Sequence, residues 1–137
     1  MQLALRISSS ELDALHSHAE QSLPFEAVAL LFGALEGNVI NATRIELMEN
    51  VAKSRTSFEV NPEVEYKLLI DAETRGEDLI GIFHSHPAPP KPSSSDERNM
   101  KLNPVVWIIA SKMTGSWESR AYVMESDEIH EIEMILT

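Results

Sequence analysis

Short apolar runs of strand length, separated by stretches with helical spacing, limit most strongly what this chain can fold into. "FEAVALLFG" (Phe25 to Gly33), "LIGIFHSH" (Leu79 to His86) and "VVWIIAS" (Val105 to Ser111) each suit a buried strand. "LALRI" at the start alternates like a strand, and "VINATRIELM" reads as the strand returning from the turn "EGN" (Glu36 to Asn38). Between them lie helices with legible ends. Ser8 and Glu11 fit a capping box, and Leu12, Leu15, Ala19 and Leu23 follow at helical spacing, which predicts a helix over residues 9–22. In "NPEVEYKLLIDAETRG", Asn61 caps, Pro62 fills the first turn and Gly76 stops a second helix. A Pro/Ser loop and a short helix from about Ser94 to Leu102 precede the strands "VVWIIAS", "ESRAYVME" and "IHEIEMIL". The mixture predicts one α/β or α+β domain, with a central sheet and helices packed on it. At 137 residues the chain is of single-domain length.

Composition removes several chemistries. There is no cysteine, so disulfides, thiol nucleophiles and thiolate metal sites are excluded, and any metal must be held by nitrogen and oxygen. A formal charge of −11, from 22 acidic and 11 basic residues, argues against nucleic acid as the main partner. No apolar run is long enough to span a bilayer, and the N-terminus lacks the features of a signal peptide. An intracellular, cytoplasmic protein is expected, with no membrane partner.

The tripeptide His-Ser-His occurs twice, at His16 to His18 and at His84 to His86. Residues two apart on a helix diverge by about 200° around its axis. His16 and His18 therefore cannot hold one ion together and are read as solvent-facing or part-buried helix residues. Residues two apart on a strand face the same way, roughly 6.5–7 Å apart at Cα, close enough for two imidazoles to meet a zinc ion. His84 and His86 end an apolar strand, where a pocket can open. The competing reading is a pair of strand-end histidines in ordinary hydrogen bonding.

Asp96 follows across a loop stiffened by Pro87, Pro89, Pro90 and Pro92. Ser93 and Asp96 also form a capping box for the next helix, and a capping carboxylate at the loop mouth can serve both purposes. Two histidines and one carboxylate leave a fourth position open for water, the pattern of a catalytic zinc site. Hydrolysis also needs a proton shuttle. Glu26, a carboxyl inside the apolar run "PFEAVALLFG", is the best candidate, since burial would suit it to acid–base work. An edge-strand Glu facing solvent is the alternative.

"LPFEAVALLFG" followed by "GIFHSHP…PSSSD" resembles the JAMM, or MPN+, metalloprotease domain, whose pattern is an early Glu, His-x-His, seven residues, Ser, two residues, Asp. The resemblance extends to "ENVAKSRTSFEVNPEVEY" and to the strands after the motif helix. Here the loop is one residue shorter: Ser93 keeps the spacing to Asp96, while Ser94 keeps the count from His86. Ser93 is the expected family serine. The resemblance implies a curved mixed sheet sandwiched by helices, similar in outline to cytidine deaminases. It implies one Zn2+ held by His84, His86 and Asp96, with Glu26 activating water and Ser93 hydrogen-bonding the oxyanion.

Active members cleave after the Gly-Gly tail of ubiquitin-like proteins, so the resemblance implies a ubiquitin-like or sulfur-carrier protein substrate. The bond cut would be an isopeptide bond or a C-terminal peptide bond; a non-catalytic interaction module is the reading from another class. The tail is expected to add as a strand to a sheet edge, with Glu49 to Ser57 as a flap. An exposed helix face would suit a homodimer.

Overall fold

The computed structural model describes residues 2–137. In chain order it contains β1 (Ala4–Ile7), α1 (Ser9–Ser22), β2 (Val28–Glu36), β3 (Val39–Met48) and α2 (Pro62–Arg75). There follow β4 (Asp78–Ser85), α3 (Ser94–Leu102), β5 (Val106–Ser111), β6 (Glu118–Glu125) and β7 (Glu128–Leu136). The helices begin and end where their caps require. Ser8 and Glu11 make the reciprocal capping box of α1. Asn61 accepts from the amides of Glu63 and Val64, and Gly76 closes α2 in the left-handed conformation at φ +72°.

The seven strands run in the order β1-β3-β2-β4-β5-β6-β7. β1 pairs in parallel with both β3 and β7, so the expected curved mixed sheet closes on itself as a barrel. β4 and β5 are also parallel and are joined through α3, because parallel neighbours need a crossover. Closure is uneven. β1 meets β3 only at Val39 to Asn41. Among the described residues the rest of β3, down to Met48, is paired on its β2 side alone.

Alternation along the strands builds two cores. Ala29 and Leu31 of β2, with Ile108 and Ala110 of β5, pack against Leu15 and Ala19 of α1. Val28, Leu30 and Phe32, with Trp107 and Ile109, face Ala72 of α2 and Met100 of α3. The sheet is therefore covered on both faces by helices, and each fully buried Leu or Phe contributes about 1.5–3 kcal/mol. His84 continues the face of Ile82, the face that α3 covers. That register brings the end of β4 beneath the first turn of α3.

The first His-Ser-His behaves as helical spacing predicts. The His16 ring stacks near Trp117 and its Nε2 lies 2.6 Å from Ser119 Oγ. His18 instead points its Nε2 at the carbonyls of Val28 and Met48, at 3.0 and 3.1 Å. The two rings do separate jobs, both part-buried.

Burial lowers the His16 pKa from its ordinary 6.5, against a smaller opposing pull from Asp13. Its neutral form therefore stabilises the fold fully above 6.5, and that contribution is lost as the pH falls through the depressed folded value. In urea titrations between about pH 7 and pH 5, wild type should lose more stability on acidification than His16→Asn. Identical pH slopes for the two proteins would contradict this.

Candidate functional site

The second His-Ser-His ends β4 and builds a buried polar cluster at the lip of the barrel. His84 is fully buried, 0% exposed, and Val28 of β2 is its cross-strand partner. Its Nδ1 lies 3.2 Å from Glu26 Oε1, and its Nε2 lies 3.0 Å from Asp96 Oδ1. The second oxygen of Asp96 lies 3.5 Å from His86 Nε2. Phe58 and Trp107 wall the His84 ring, with centroids 5.0 and 6.0 Å away. Four of the five residues expected from the sequence thus converge: Glu26, His84, His86 and Asp96.

The local folding reasons are specific. Asp96 is the third residue of α3, and the Ser93 hydroxyl accepts from its amide at 3.1 Å. In return Asp96 Oδ2 accepts from the Ser93 amide at 2.9 Å. One carboxylate therefore caps the helix and still faces both histidines, so capping does not turn it away from them. Ser93 is the cap and Ser94 the first helical residue. The Ser93 hydroxyl stays with the Asp96 end of the cluster, and among the described residues no hydrogen bond joins it to either histidine. The Tyr122 hydroxyl donates to Pro90 O at 2.7 Å and ties down the proline loop between β4 and α3.

The placement of Glu26 differs from the strand expected from "FEAVALLFG". β2 starts at Val28, two residues later. Glu26 sits ahead of the ladder because its amide donates to Ser54 O at 2.8 Å, so a loop takes the bond that a neighbouring strand would. The carboxyl is nonetheless buried, 3% exposed, so the solvent-facing alternative is ruled out.

Electrostatics follow from this crowding. Burial would push the His84 imidazole down, but Asp96 and Glu26 on its two sides outweigh that and raise it from 6.5 to about 9. Burial would likewise raise Asp96, and the His84 ring with the Ser93 amide holds it below its ordinary value. His84 Nε2 faces Asp96 at 3.0 Å without hydrogen-bond alignment, and it is one of the buried side-chain atoms left without a hydrogen bond. No three acidic or imidazole side chains among the described residues form a ready-made cage for an ion. The available donors are two imidazoles and a carboxylate, the nitrogen and oxygen set that zinc accepts. The two imidazoles approach different oxygens of Asp96, Oδ1 at 3.0 Å and Oδ2 at 3.5 Å.

Sequence reasoning did not single out three residues of the site. Ser85, the middle of the tripeptide, points to the opposite face and accepts from the Ala27 amide at 2.7 Å, fixing the segment that carries Glu26. Its signal was present, since period two puts it across the strand from both histidines. Asn50 and Phe58 lie in a polar loop whose fold has no periodic pattern to read.

Two histidines, a capping aspartate and a buried glutamate thus meet at one end of a mixed barrel. The family model described as prokaryotic homologs of the JAB domain matches residues 8–123. The chain belongs to that prokaryotic JAB-domain, or JAMM/MPN, family. A desampylase of Pyrococcus furiosus is 34% identical over 106 residues, covering 76% of this chain and 74% of the relative. A desampylase of Haloferax volcanii is 30% identical over 111 residues, covering 78% and 80%. A solution structure of a Desulfitobacterium hafniense protein superposes with a TM-score of 0.84 at 28% identity, covering 97% of this chain and 92% of the other. One from Salinibacter ruber, at 22% identity and TM-score 0.71, covers 100% and 92% and shares the fold.

Replacing Ser85 by Ala leaves the buried Ala27 amide without its side-chain acceptor, at an expected cost of about 1–3 kcal/mol in urea unfolding. Wild-type stability in Ser85→Ala would show that this bond does not hold the Glu26 segment.

Proposed function

We propose that this chain is a zinc-dependent isopeptidase that cleaves after the C-terminal Gly-Gly tail of a ubiquitin-like modifier. His84, His86 and Asp96 would hold the ion. The observation that carries the reading is the row Glu26–His84–Asp96, with His86 on the second oxygen of Asp96. The buried His84 Nε2 without a hydrogen bond supports ligation, because an imidazole nitrogen aimed at a carboxylate off-line is better satisfied by a cation between them. The relatives named desampylase support the isopeptidase arm over a non-catalytic module.

When bound, zinc in such a site supplies Lewis acidity and lets water act as a nucleophile at neutral pH. The chain's own residues do the rest. Glu26, anchored beside the His84 ring, accepts the proton of the attacking water and passes it to the departing lysine amine. The Ser93 hydroxyl donates to the carbonyl oxygen as negative charge grows there, already oriented by its place at the start of α3. The tail is read by main-chain bonding: the part of β3 from Ala42 to Leu47, free of β1, offers an edge that leads into the loop beside Glu26. This edge replaces the open sheet edge expected from the sequence, which barrel closure removes elsewhere.

The test is cleavage of a ubiquitin-like protein joined through Gly-Gly to a lysine side chain, with metal content measured in the same preparations. Wild type should cut, a chelator should stop it, and Glu26→Gln should keep its zinc while losing about 10²–10⁴-fold in turnover. Cleavage of linear fusions alone would point to a peptidase that matures a sulfur carrier. Bound zinc with no cleavage of either substrate would overturn the enzyme reading in favour of an interaction module.

A further inference from the structure

The loop between β3 and α2 is closed and fastened by one side chain. Asn50 Oδ1 accepts from the amides of Ala52 and Glu59, both at 3.1 Å, which folds the loop back on itself. The Val51 amide donates to Glu59 O at 2.9 Å across the same neck. The amide half of Asn50 faces the other way. Its Nδ2 donates to Glu26 O at 2.9 Å and to Ser57 O at 3.0 Å. The Glu26 amide donates to Ser54 O at 2.8 Å. Both main-chain groups of Glu26 are therefore held by this one loop, while the next amide, of Ala27, goes to Ser85 of the histidine strand. Beyond the neck, Phe58 rests on the His84 ring.

We infer that Asn50 is a positioning residue for the reaction: it locks the loop at residues 50–59 to the main chain of Glu26 and so sets where the Glu26 carboxyl stands against His84. The inference rests on the isopeptidase reading for its kinetic consequence but not for its structural one. Glu26 precedes β2, so no strand ladder fixes its peptide; the loop and Ser85 do that work from either side. A substrate tail lying along the free half of β3 would run straight into the segment that Asn50 closes. The position of the proton-transfer group and the shape of the substrate-facing loop are thus coupled through four hydrogen bonds of one amide side chain.

The two halves of Asn50 can be separated. Asn50→Asp keeps the acceptor that closes the loop and loses the donors to Glu26 and Ser57; Asn50→Ala loses both. If Asn50 positions Glu26, both variants should lose turnover by about a hundredfold, the scale for misplacing a catalytic group by about 1 Å. Zinc content and KM should stay close to wild type. By amide hydrogen exchange, Asn50→Asp should speed the Ala27 amide, which shares its peptide with the Glu26 O that Asn50 holds, while Ala52 and Glu59 stay protected. Wild-type turnover in Asn50→Asp with loss only in Asn50→Ala would reduce Asn50 to a loop closer and overturn the inference. An unchanged Ala27 exchange rate in Asn50→Asp would also overturn it. Should wild type cleave nothing, the isopeptidase reading fails by itself, and the exchange measurement still decides whether the lock exists. If Asn50→Asp does not fold, exchange and turnover in Asn50→Ser, which is too short to reach Glu26 O, take its place.

Discussion

The structure turns on one buried imidazole held between two carboxylates. His84 has Glu26 on one ring nitrogen and Asp96 facing the other, and all three side chains are almost wholly removed from water. Two buried carboxylates and one neutral ring would leave uncompensated negative charge in an apolar setting, at a cost of several kcal/mol per ion. A proton on His84 offsets part of it, which is why its pKa is raised to about 9 despite burial. A divalent cation among the same donors would offset more. The residues that make the site costly as bare protein are the ones assigned to the proposed zinc.

The scaffold exists to bring those groups together from three separate segments. Strand alternation puts His84 on the face that α3 covers, and the capping box of α3 aims Asp96 back at the strand. The parallel β4–β5 pair, with α3 as its crossover, leaves the proline loop arching over the end of the barrel, where Tyr122 holds it. Glu26 arrives by a different route, tied by Ser85 on one side and by the β3–α2 loop on the other. Stability and chemistry share these contacts, since the bonds just ahead of β2 and at the start of α3 are also those that orient the site.

Much of this was legible in the sequence, for physical reasons. Caps have fixed spacing, so the bounds of α1, α2 and α3 could be read from Ser8, Asn61, Gly76 and Ser93. Period two separated the clustered His-Ser-His from its helical twin, and His16 and His18 indeed face different partners. What was not legible was non-local. Closure of the barrel depends on β1 pairing with β7, Ala4 opposite Glu133, and no local pattern encodes a partner that far along the chain. Glu26 looked like part of a strand because its neighbours are apolar, but backbone bonding to Ser54 decided otherwise. Asn50 was invisible for the same reason: a loop residue's hydrogen bonds depend on a fold that has no period.

The claim that carries the rest is that His84, His86 and Asp96 bind a divalent ion in place of the proton on His84. Calorimetric titration with zinc, in buffers of differing ionisation enthalpy, tests it directly. The account predicts about one zinc per chain and release of about one proton near neutral pH, because a ligating imidazole must be neutral. Affinity should rise as the pH climbs toward the His84 value of about 9 and weaken below it. His84→Gln and Asp96→Asn should each abolish tight binding. Zinc bound equally well by those variants, or not bound by the wild-type chain, would contradict the account.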